Sequence, residues 1–167
     1  MNATLDSTTV IRSYPDLARN LYSMISAAKN EIHLAPRYYE PSIGSVLLSK
    51  FAEGLTLRIL DSNPSGISFE DRLRTVAQHD TKNRDLILKI LATPKIITRV
   101  NRLDFSFAVV DGRQCGFELV NPTNPDNFTL ALKVDSPDLA KELILVFESM
   151  VASAERSKRV TTPKSAT

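Results

Sequence analysis

The segment DFSFAVVDGR, residues 104–113, carries side chains whose types and spacing could support chemistry. It holds two carboxylates, Asp104 and Asp111, seven positions apart, and the hydroxyl of Ser106 lies between them. Two carboxylates that share a divalent metal would give a metal-assisted hydrolase. Side chains of a strand alternate between the two faces of a sheet, so residues seven apart point to opposite faces. A carboxylate hydrolase is therefore the weakest function that we consider for these residues.

Three arginines lie near this segment or on a neighbouring predicted strand. Arg99 and Arg102 flank its beginning, and Arg58 lies in an earlier apolar run. Guanidinium groups bind carboxylates and phosphates through a planar fork, so the three together could hold an anionic metabolite. Ordinary surface charges that pair with nearby acids are the favoured alternative.

One histidine and two tyrosines complete the set of candidate residues. His33 lies between two apolar residues of a short predicted strand, a position typical of a semi-buried structural histidine. Tyr38 and Tyr39 follow the carboxyl end of that strand, where α/β sheets bind ligands. They form either an aromatic pocket wall or a packed loop.

The segment at 104–113 resembles the core motif of the phospholipase D superfamily, which runs His, one residue, Lys, four residues, Asp. Asp104 occupies the His place, Ser106 occupies the Lys place, and Asp111 matches the Asp. The apolar and turn positions of the usual form H-x-K-F-x-V-V-D-G also match: Phe107, Val109, Val110 and Gly112. Asp111 has a second and favoured explanation, because Asp-Gly commonly shapes a tight turn.

The two altered motif places remove the chemistry of that superfamily. There an imidazole attacks phosphorus, a second imidazole protonates the leaving oxygen, and lysines stabilise the developing charge. Two motif copies normally form one site, but neither His33 nor His79 is followed two residues later by Lys. The resemblance therefore implies a binding module that is not an enzyme and has no catalytic residue, no metal and no cofactor.

The predicted secondary-structure elements that position these residues alternate between helix and strand in the first half of the chain and are mostly strands in the second half. Helical spacing and turn signals predict the order α-β-α-β-α-β-β-β-β-α, with a break in the third helix near 79–83. Early β/α alternation favours parallel strands, and the Asp111-Gly112 turn favours an antiparallel hairpin. We expect an α/β fold with a mixed sheet flanked by helices, built as a flexible arm (1–13), one domain (14–153) and a disordered basic tail (154–167).

Composition and charge exclude several classes of protein. The single Cys115 rules out an internal disulfide, and no apolar run is long enough to cross a bilayer, so a cytoplasmic protein without membrane contact is expected. The formal net charge is +2, but residues 154–167 carry +3, which leaves −1 on the remaining residues. A basic DNA-binding face on the folded part is therefore not supported.

A closer resemblance is to the effector-sensing domain of TrmB-like archaeal transcriptional regulators. It spans roughly residues 14–152 and rests on four stretches: AAKNEIHLA, LTLRIL, LDFSFAVVDGRQCGFELVNP and SPDLAKELILVFESM. The resemblance implies a small-metabolite effector and a homodimer. About a dozen residues precede the first predicted helix, too few for the winged helix-turn-helix of such regulators. The resemblance therefore leaves two alternatives, a stand-alone member or a sensor domain without its DNA-binding head, for which a separate DNA-binding partner protein is possible. Direct DNA binding is in doubt in both.

Two functions are compatible with these residues and their spacing. The first is a non-catalytic, ligand-sensing phospholipase D-like domain of an archaeal-type transcriptional regulator. The alternative is a protein- or nucleic-acid-docking or dimerisation module without a small-molecule ligand. The first predicts a ligand site formed by seven residues: Asp104, Ser106, Asp111, Arg99, Arg102, Tyr38 and Tyr39.

Overall fold

A computed structural model describes residues 7–38, 40–62 and 68–161, with side chains described through residue 158. The described residues form seven strands and five helices. In chain order these are β1 (Thr8–Ile11), α1 (Tyr14–Ser26), β2 (Glu31–Ala35), α2 (Pro41–Ala52), β3 (Thr56–Ser62), α3 (Phe69–His79), α4 (Arg84–Ala92), β4 (Ile97–Val100), β5 (Phe107–Val110), β6 (Gln114–Leu119), β7 (Leu130–Asp135) and α5 (Pro137–Thr161).

The strands build one mixed sheet in the order β1-β7-β6-β5-β2-β3-β4. β2, β3 and β4 are parallel, because helices carry the chain back between them. The remaining neighbours are antiparallel, including β2 with β5 and the hairpin of β5 with β6. The predicted α/β fold with a mixed sheet and flanking helices is confirmed.

Helices cover both faces of this sheet. α1 to α4 pack on one face, over a core that includes Ile25, Ile32 and Ile59. α5 packs on the other face, where Val109 and Phe147 are fully buried. The alternation of β2 explains the division, since Ile32 and Leu34 face the first core while Ala35 faces the second.

Polar side chains at the helix ends fix where the helices begin and break. Ser13 accepts the backbone N–H of Asp16 at the start of α1, and Ser68 forms a capping box with Asp71 at the start of α3. The predicted break in the third helix separates α3 from α4. There the carboxylate of Asp80 accepts the backbone N–H groups of Lys82 and Asn83, both at 3.1 Å, which competes with continued helix.

The two ends of the described chain differ from the sequence-based expectation. Residues 8–11 are not a flexible arm but the strand β1, which pairs with β7 and buries Ile11. Helix α5 continues through Thr161, so the prediction of disorder from residue 154 onward is wrong for 154–161. Val151 and Ala154 pack against the core of this face, and the helix extends beyond them because the Glu, Arg and Lys that follow are good helix formers. The rest of the predicted tail lies outside the described residues.

Candidate ligand site

A cavity of about 80 Å³ lies between α1 and the sheet. Its walls are mostly apolar and come from α1, β2, β5 and β6, and Ile11 of β1 contributes to one side. A cavity of this volume is large enough for several water molecules or a small organic molecule. Mostly apolar walls with a few polar groups are typical of ligand sites in proteins.

The cavity exists because small residues stand side by side in the sheet. On the face towards α1, Ala108 of β5 pairs with Gly116 of β6, and Gly116 pairs with Lys133 of β7. A Cβ added to Gly116 would be in ordinary van der Waals contact with the Met24 side chain, at 3.7 Å, so α1 packs closely over the glycine at this point. A glycine inside a strand commonly marks a place where a ligand or another backbone approaches closely.

A buried carboxylate, Glu118 of β6, holds the polar end of the cavity together. Its side chain is 1% exposed. Oε2 accepts Nη1 of Arg37 at 3.0 Å and the backbone N–H of Ser106 at 3.1 Å, and Oε1 accepts the Tyr38 hydroxyl at 2.7 Å. Arg37 also donates to the carbonyl of Pro125, which ties the loop after β6 to the loop after β2. Glu118 is thereby a satisfied, paired charge.

Two tyrosines, Tyr14 and Tyr38, line the cavity, and each lies close to a glutamate, Glu40 and Glu118 respectively. Burial and the nearby carboxylate of Glu40 raise the pKa of Tyr14. Burial and the hydrogen bond to Glu118 raise the pKa of Tyr38. Both hydroxyls are therefore protonated at neutral pH, and that of Tyr38 donates to Glu118.

The structure brings only some of the predicted site residues to the cavity. Ser106 and Tyr38 line it, and the Ser106 hydroxyl accepts the backbone N–H of Arg37 at 3.0 Å. Asp104 and Arg102 lie outside it, with side chains 80% and 78% exposed, and form an ion pair with each other at 3.0 Å. Tyr39 lies outside the described residues.

The other predicted residues are dispersed. Arg99 on β4 donates to the hydroxyl of Ser68 at 2.9 Å and lies 3.7 Å from Asp71, at the start of α3. Arg58 pairs with Glu148 of α5, on the opposite side of the sheet from the cavity. The three arginines thus contact separate acids, in agreement with the favoured interpretation of surface charges.

Asp111 lies at the far end of β5 and fastens the segment before β2. Its carboxylate accepts three backbone N–H groups, from Lys29 at 2.9 Å, Asn30 at 2.7 Å and Glu31 at 3.0 Å. Burial raises the pKa of Asp111, but the three N–H donors and the Lys29 charge outweigh it, and the net shift is downward. Its φ of 53° and the φ of 61° at Gly112 form the turn to β6. These contacts are those of a structural residue.

Sequence reasoning missed Gly116, Glu118 and Arg37. Signals for the first two were present: Gly116 interrupts an apolar strand, and Glu118 stands two residues later, on the same face as the glycine. A carboxylate on a buried face needs a partner. No such signal marks Arg37, because its two partners lie 81 and 88 positions away.

His33 lies on the opposite face of the sheet from the cavity and is 4% exposed. Its ring packs edge-on against Phe147 with the centroids 5.2 Å apart, and Nδ1 has no hydrogen-bond partner among the described residues. Burial lowers the pKa of His33, and Arg58 lowers it further against the opposing effect of Glu31 and Glu148. The imidazole is therefore neutral in the folded protein at pH 7.

The burial of His33 predicts a pH dependence of stability. The unfolded chain takes up a proton near the ordinary pKa of histidine and the folded chain does so only at lower pH, so stability falls as the pH drops from 7 to 5. His33→Leu is expected to reduce this loss and to raise the free energy of unfolding by about 1 kcal/mol, because no polar nitrogen is left unpaired. Urea unfolding at both pH values measures the difference. The exposed His79, replaced by Gln, is the control and should leave the pH dependence unchanged.

Within the described part of the chain, no three His, Cys, Asp or Glu side chains are placed to hold a metal ion. None of the described helices combines the length and apolarity that crossing a membrane requires. No protein-family model and no curated protein matches this chain.

Several solved structures share the fold at low sequence identity. TrmBL2, an archaeal chromatin protein whose structure shows a novel mode of DNA binding, is 15% identical with a TM-score of 0.62; the match covers 89% of this chain and 54% of TrmBL2. NucT from Helicobacter pylori is 16% identical with a TM-score of 0.59, covering 88% of this chain and 96% of NucT. Nuc from Salmonella typhimurium, a phospholipase D family member, is 15% identical with a TM-score of 0.60, covering 86% and 93%.

The three matches cover 86–89% of this chain. They cover 96% of NucT and 93% of Nuc, but only about half of TrmBL2. The shared features are the mixed sheet and the helices on its two faces. The chain therefore has the phospholipase D-like fold, which it shares with TrmBL2.

Proposed function

We propose that this chain is a non-catalytic phospholipase D-like domain that binds a small effector in the cavity beneath α1. Its role is in transcription regulation in the cytoplasm, as a homodimer that acts together with a DNA-binding protein. The observation that carries the proposal is the cavity itself, with its glycine floor and the buried Glu118 network at one end.

The residues at the catalytic places of the motif support a binding role. Asp104 is exposed and paired with Arg102. It places a negative charge where the motif needs an imidazole to attack a phosphodiester, which is itself negatively charged. Ser106 supplies a hydroxyl but no positive charge to stabilise a transferring phosphoryl group. Neither His33 nor His79 lines the cavity, so no described imidazole is available there as a nucleophile or an acid.

The likeness to TrmBL2 supports the regulatory part of the proposal. TrmBL2 is a chromatin protein that binds DNA, and this chain matches about half of its length. The three arginines considered as an anion site, Arg58, Arg99 and Arg102, each pair with a separate acid and form no common basic patch. A partner protein is therefore the proposed source of DNA contact.

A thermal-shift screen with cavity variants tests effector binding. Sugars, nucleotides, phosphorylated metabolites, fatty acids and amines are each added to the wild-type protein. A ligand at 100 times its dissociation constant adds about 2.7 kcal/mol of stability, which raises Tm by several degrees. Gly116→Leu, which fills the cavity, is expected to abolish the shift. Gly116→Ala is the milder second variant, because its Cβ is accommodated beside Met24, and it should weaken binding.

Asp104→Ala is the matched control for this screen, since Asp104 is exposed and outside the cavity. A shift that survives in Asp104→Ala and disappears in Gly116→Leu supports the proposal. A shift lost in Asp104→Ala instead would move the site to the segment at 102–104. Hydrolysis of bis(4-nitrophenyl) phosphate above the buffer rate, lost in His33→Leu or His79→Gln, would overturn the non-catalytic assignment.

A docking function is the second candidate, and helix α5 favours it. Glu155, Arg156 and Lys158 are exposed on a helical extension beyond the last packed residue, and Leu145 and Val146 are exposed apolar residues of the same helix. Exposed apolar residues beside charged ones are common at protein interfaces. Deleting residues 155–167 distinguishes the two functions: loss of partner binding with an unchanged ligand shift assigns docking to α5 and sensing to the cavity.

A further inference from the structure

Three aromatic rings from separate parts of the chain meet beside the cavity. The centroid of Tyr14, at the start of α1, lies 5.6 Å from that of Tyr38 and 6.3 Å from that of Phe128. The ring planes meet at 72° and 69°, so the faces of the rings are not stacked on each other. Aromatic faces carry negative potential and attract cations, and quaternary ammonium groups are bound in proteins by such sets of rings.

One carboxylate adds negative charge to the same place. Glu40 lines the cavity together with Tyr14 and raises the pKa of the Tyr14 hydroxyl. Glu118, which Arg37 neutralises, accepts a hydrogen bond from Tyr38 at 2.7 Å, so Tyr38 can still offer a ligand its ring face and oxygen lone pairs. Tyr38 already interacts with a cation, since Cζ of Arg37 lies 5.6 Å from the centroid of its ring.

Few of the described positively charged side chains lie near the cavity. Lys133 is the one cationic residue that lines the cavity among the described residues, and it lies on β7, with β6 and β5 between it and β2. Arg37 is engaged by Glu118 and by the carbonyl of Pro125. Glu40 has no cation paired with it among the described residues. The end of the cavity near Tyr14 is therefore acidic.

From this arrangement we infer that the effector is a small organic cation. Its ammonium or alkylammonium group lies against Tyr14 and Tyr38 and faces Glu40, and its hydrocarbon part enters the cavity above Gly116. The inference rests on the proposed function and narrows the ligand from any small metabolite to a cationic one. A carboxylate or phosphate in the same position would face the Glu40 carboxylate and be repelled by its like charge.

A shape-matched series tests the charge preference of the cavity. Choline carries a trimethylammonium group, 3,3-dimethylbutan-1-ol is its neutral isostere, and 3,3-dimethylbutanoate carries the same branched group with a negative charge. NMR titration of the wild-type protein gives a dissociation constant for each. Choline is expected to bind at least 10-fold more tightly than the alcohol, and the anion should bind more weakly than either.

Two substitutions locate the effect. Tyr14→Leu removes a ring of the cluster, and Tyr22→Leu, on the same helix but exposed and outside the cavity, is its control. Glu40→Gln removes the charge and keeps an acceptor for Tyr14. Glu40 makes no side-chain capping bond at the start of α2, and Gln keeps an acceptor oxygen for the Ser42 hydroxyl that Glu40 accepts at 3.2 Å. Both Tyr14→Leu and Glu40→Gln should weaken choline binding 3- to 10-fold, and Glu40→Gln should leave binding of the alcohol unchanged.

The outcomes separate this inference from the proposed function. Equal affinity for choline and the alcohol, or tighter binding of the anion, overturns the cation preference. If Tyr14→Leu and Tyr22→Leu weaken choline binding equally, the cation does not bind at the Tyr14 ring. If none of the three compounds binds but another compound gives a shift that Gly116→Leu abolishes, the effector site stands and the cation inference fails.

Discussion

Replacing Glu118 by Ala is expected to lower the free energy of unfolding by about 3 kcal/mol, which corresponds to a fall in Tm of roughly 6–12 °C for a chain of this size. Three donors lose their acceptor at once: the Arg37 guanidinium, the Tyr38 hydroxyl and the backbone N–H of Ser106. The Arg37 side chain is only 14% exposed, so water restores little of the lost interaction. Removing one member of a buried charge pair costs more than the pair itself contributes, because the other charge stays desolvated.

Urea unfolding at pH 7 measures the effect of Glu118→Ala. Glu118→Gln keeps an acceptor for Tyr38 and should lose less. Glu148→Ala is the control, since it breaks the ion pair with Arg58 at a carboxylate that is 45% exposed, and such pairs contribute less than about 1 kcal/mol. If Glu118→Ala and Glu148→Ala lose equal stability, the Glu118 network does not stabilise the fold.

Replacing Asp111 by Ala is expected to cost about 3 kcal/mol at pH 7, because hydrogen bonds to a charged group contribute about 1.5–3 kcal/mol and a second penalty comes from the backbone. Three N–H groups at 29–31 lose their acceptor. The φ of 53° is also less favourable for Ala than for Asp or Asn. Asp111→Asn keeps one acceptor oxygen and this backbone preference, so its loss should be smaller.

The Asp111 contribution should depend on pH in a defined direction. The net pKa shift of its carboxyl in the folded protein is downward, so the carboxylate stabilises the fold above its ordinary pKa. This stability is lost as the pH falls through the lower, folded-state pKa. The difference between wild type and Asp111→Asn should therefore shrink between pH 5 and pH 2. Asp104→Asn, at an exposed carboxylate, is the control and should show no comparable change. A difference for Asp111→Asn that is constant with pH would contradict the role of the charge.

Most of the fold could be predicted from local sequence patterns. The apolar stripes of α1 and α5, the proline and serine signals at helix starts and the Asp111-Gly112 turn each depend on residues a few positions apart. Strand β1 escaped prediction because four residues, three of them exposed, leave almost no periodicity. Its place depends on β7, more than 100 positions later in the chain.

The candidate site was less predictable for a related reason. The sequence motif places the site at Asp104, whereas the cavity lies between α1 and the sheet positions Ala108 and Gly116. Such space follows from the packing of α1 on the sheet, which no spacing in the sequence encodes. The same limit applies to Arg37, since its partners come from two distant loops. Of the predicted site residues that the structure describes, Tyr38 and Ser106 are the two found at the cavity.

The position of β1 at the end of the sheet makes one wall of the cavity depend on a short edge strand. This four-residue strand pairs with β7 alone, and its Ile11 is part of the cavity wall. Short edge elements with few neighbours open locally at a much lower free energy than the whole domain. Release of β1 would uncover the cavity while α1, β5 and β6 stay folded. For the effector proposed above, local opening of this short β-ladder would be a route of release that leaves the global stability of the protein unchanged.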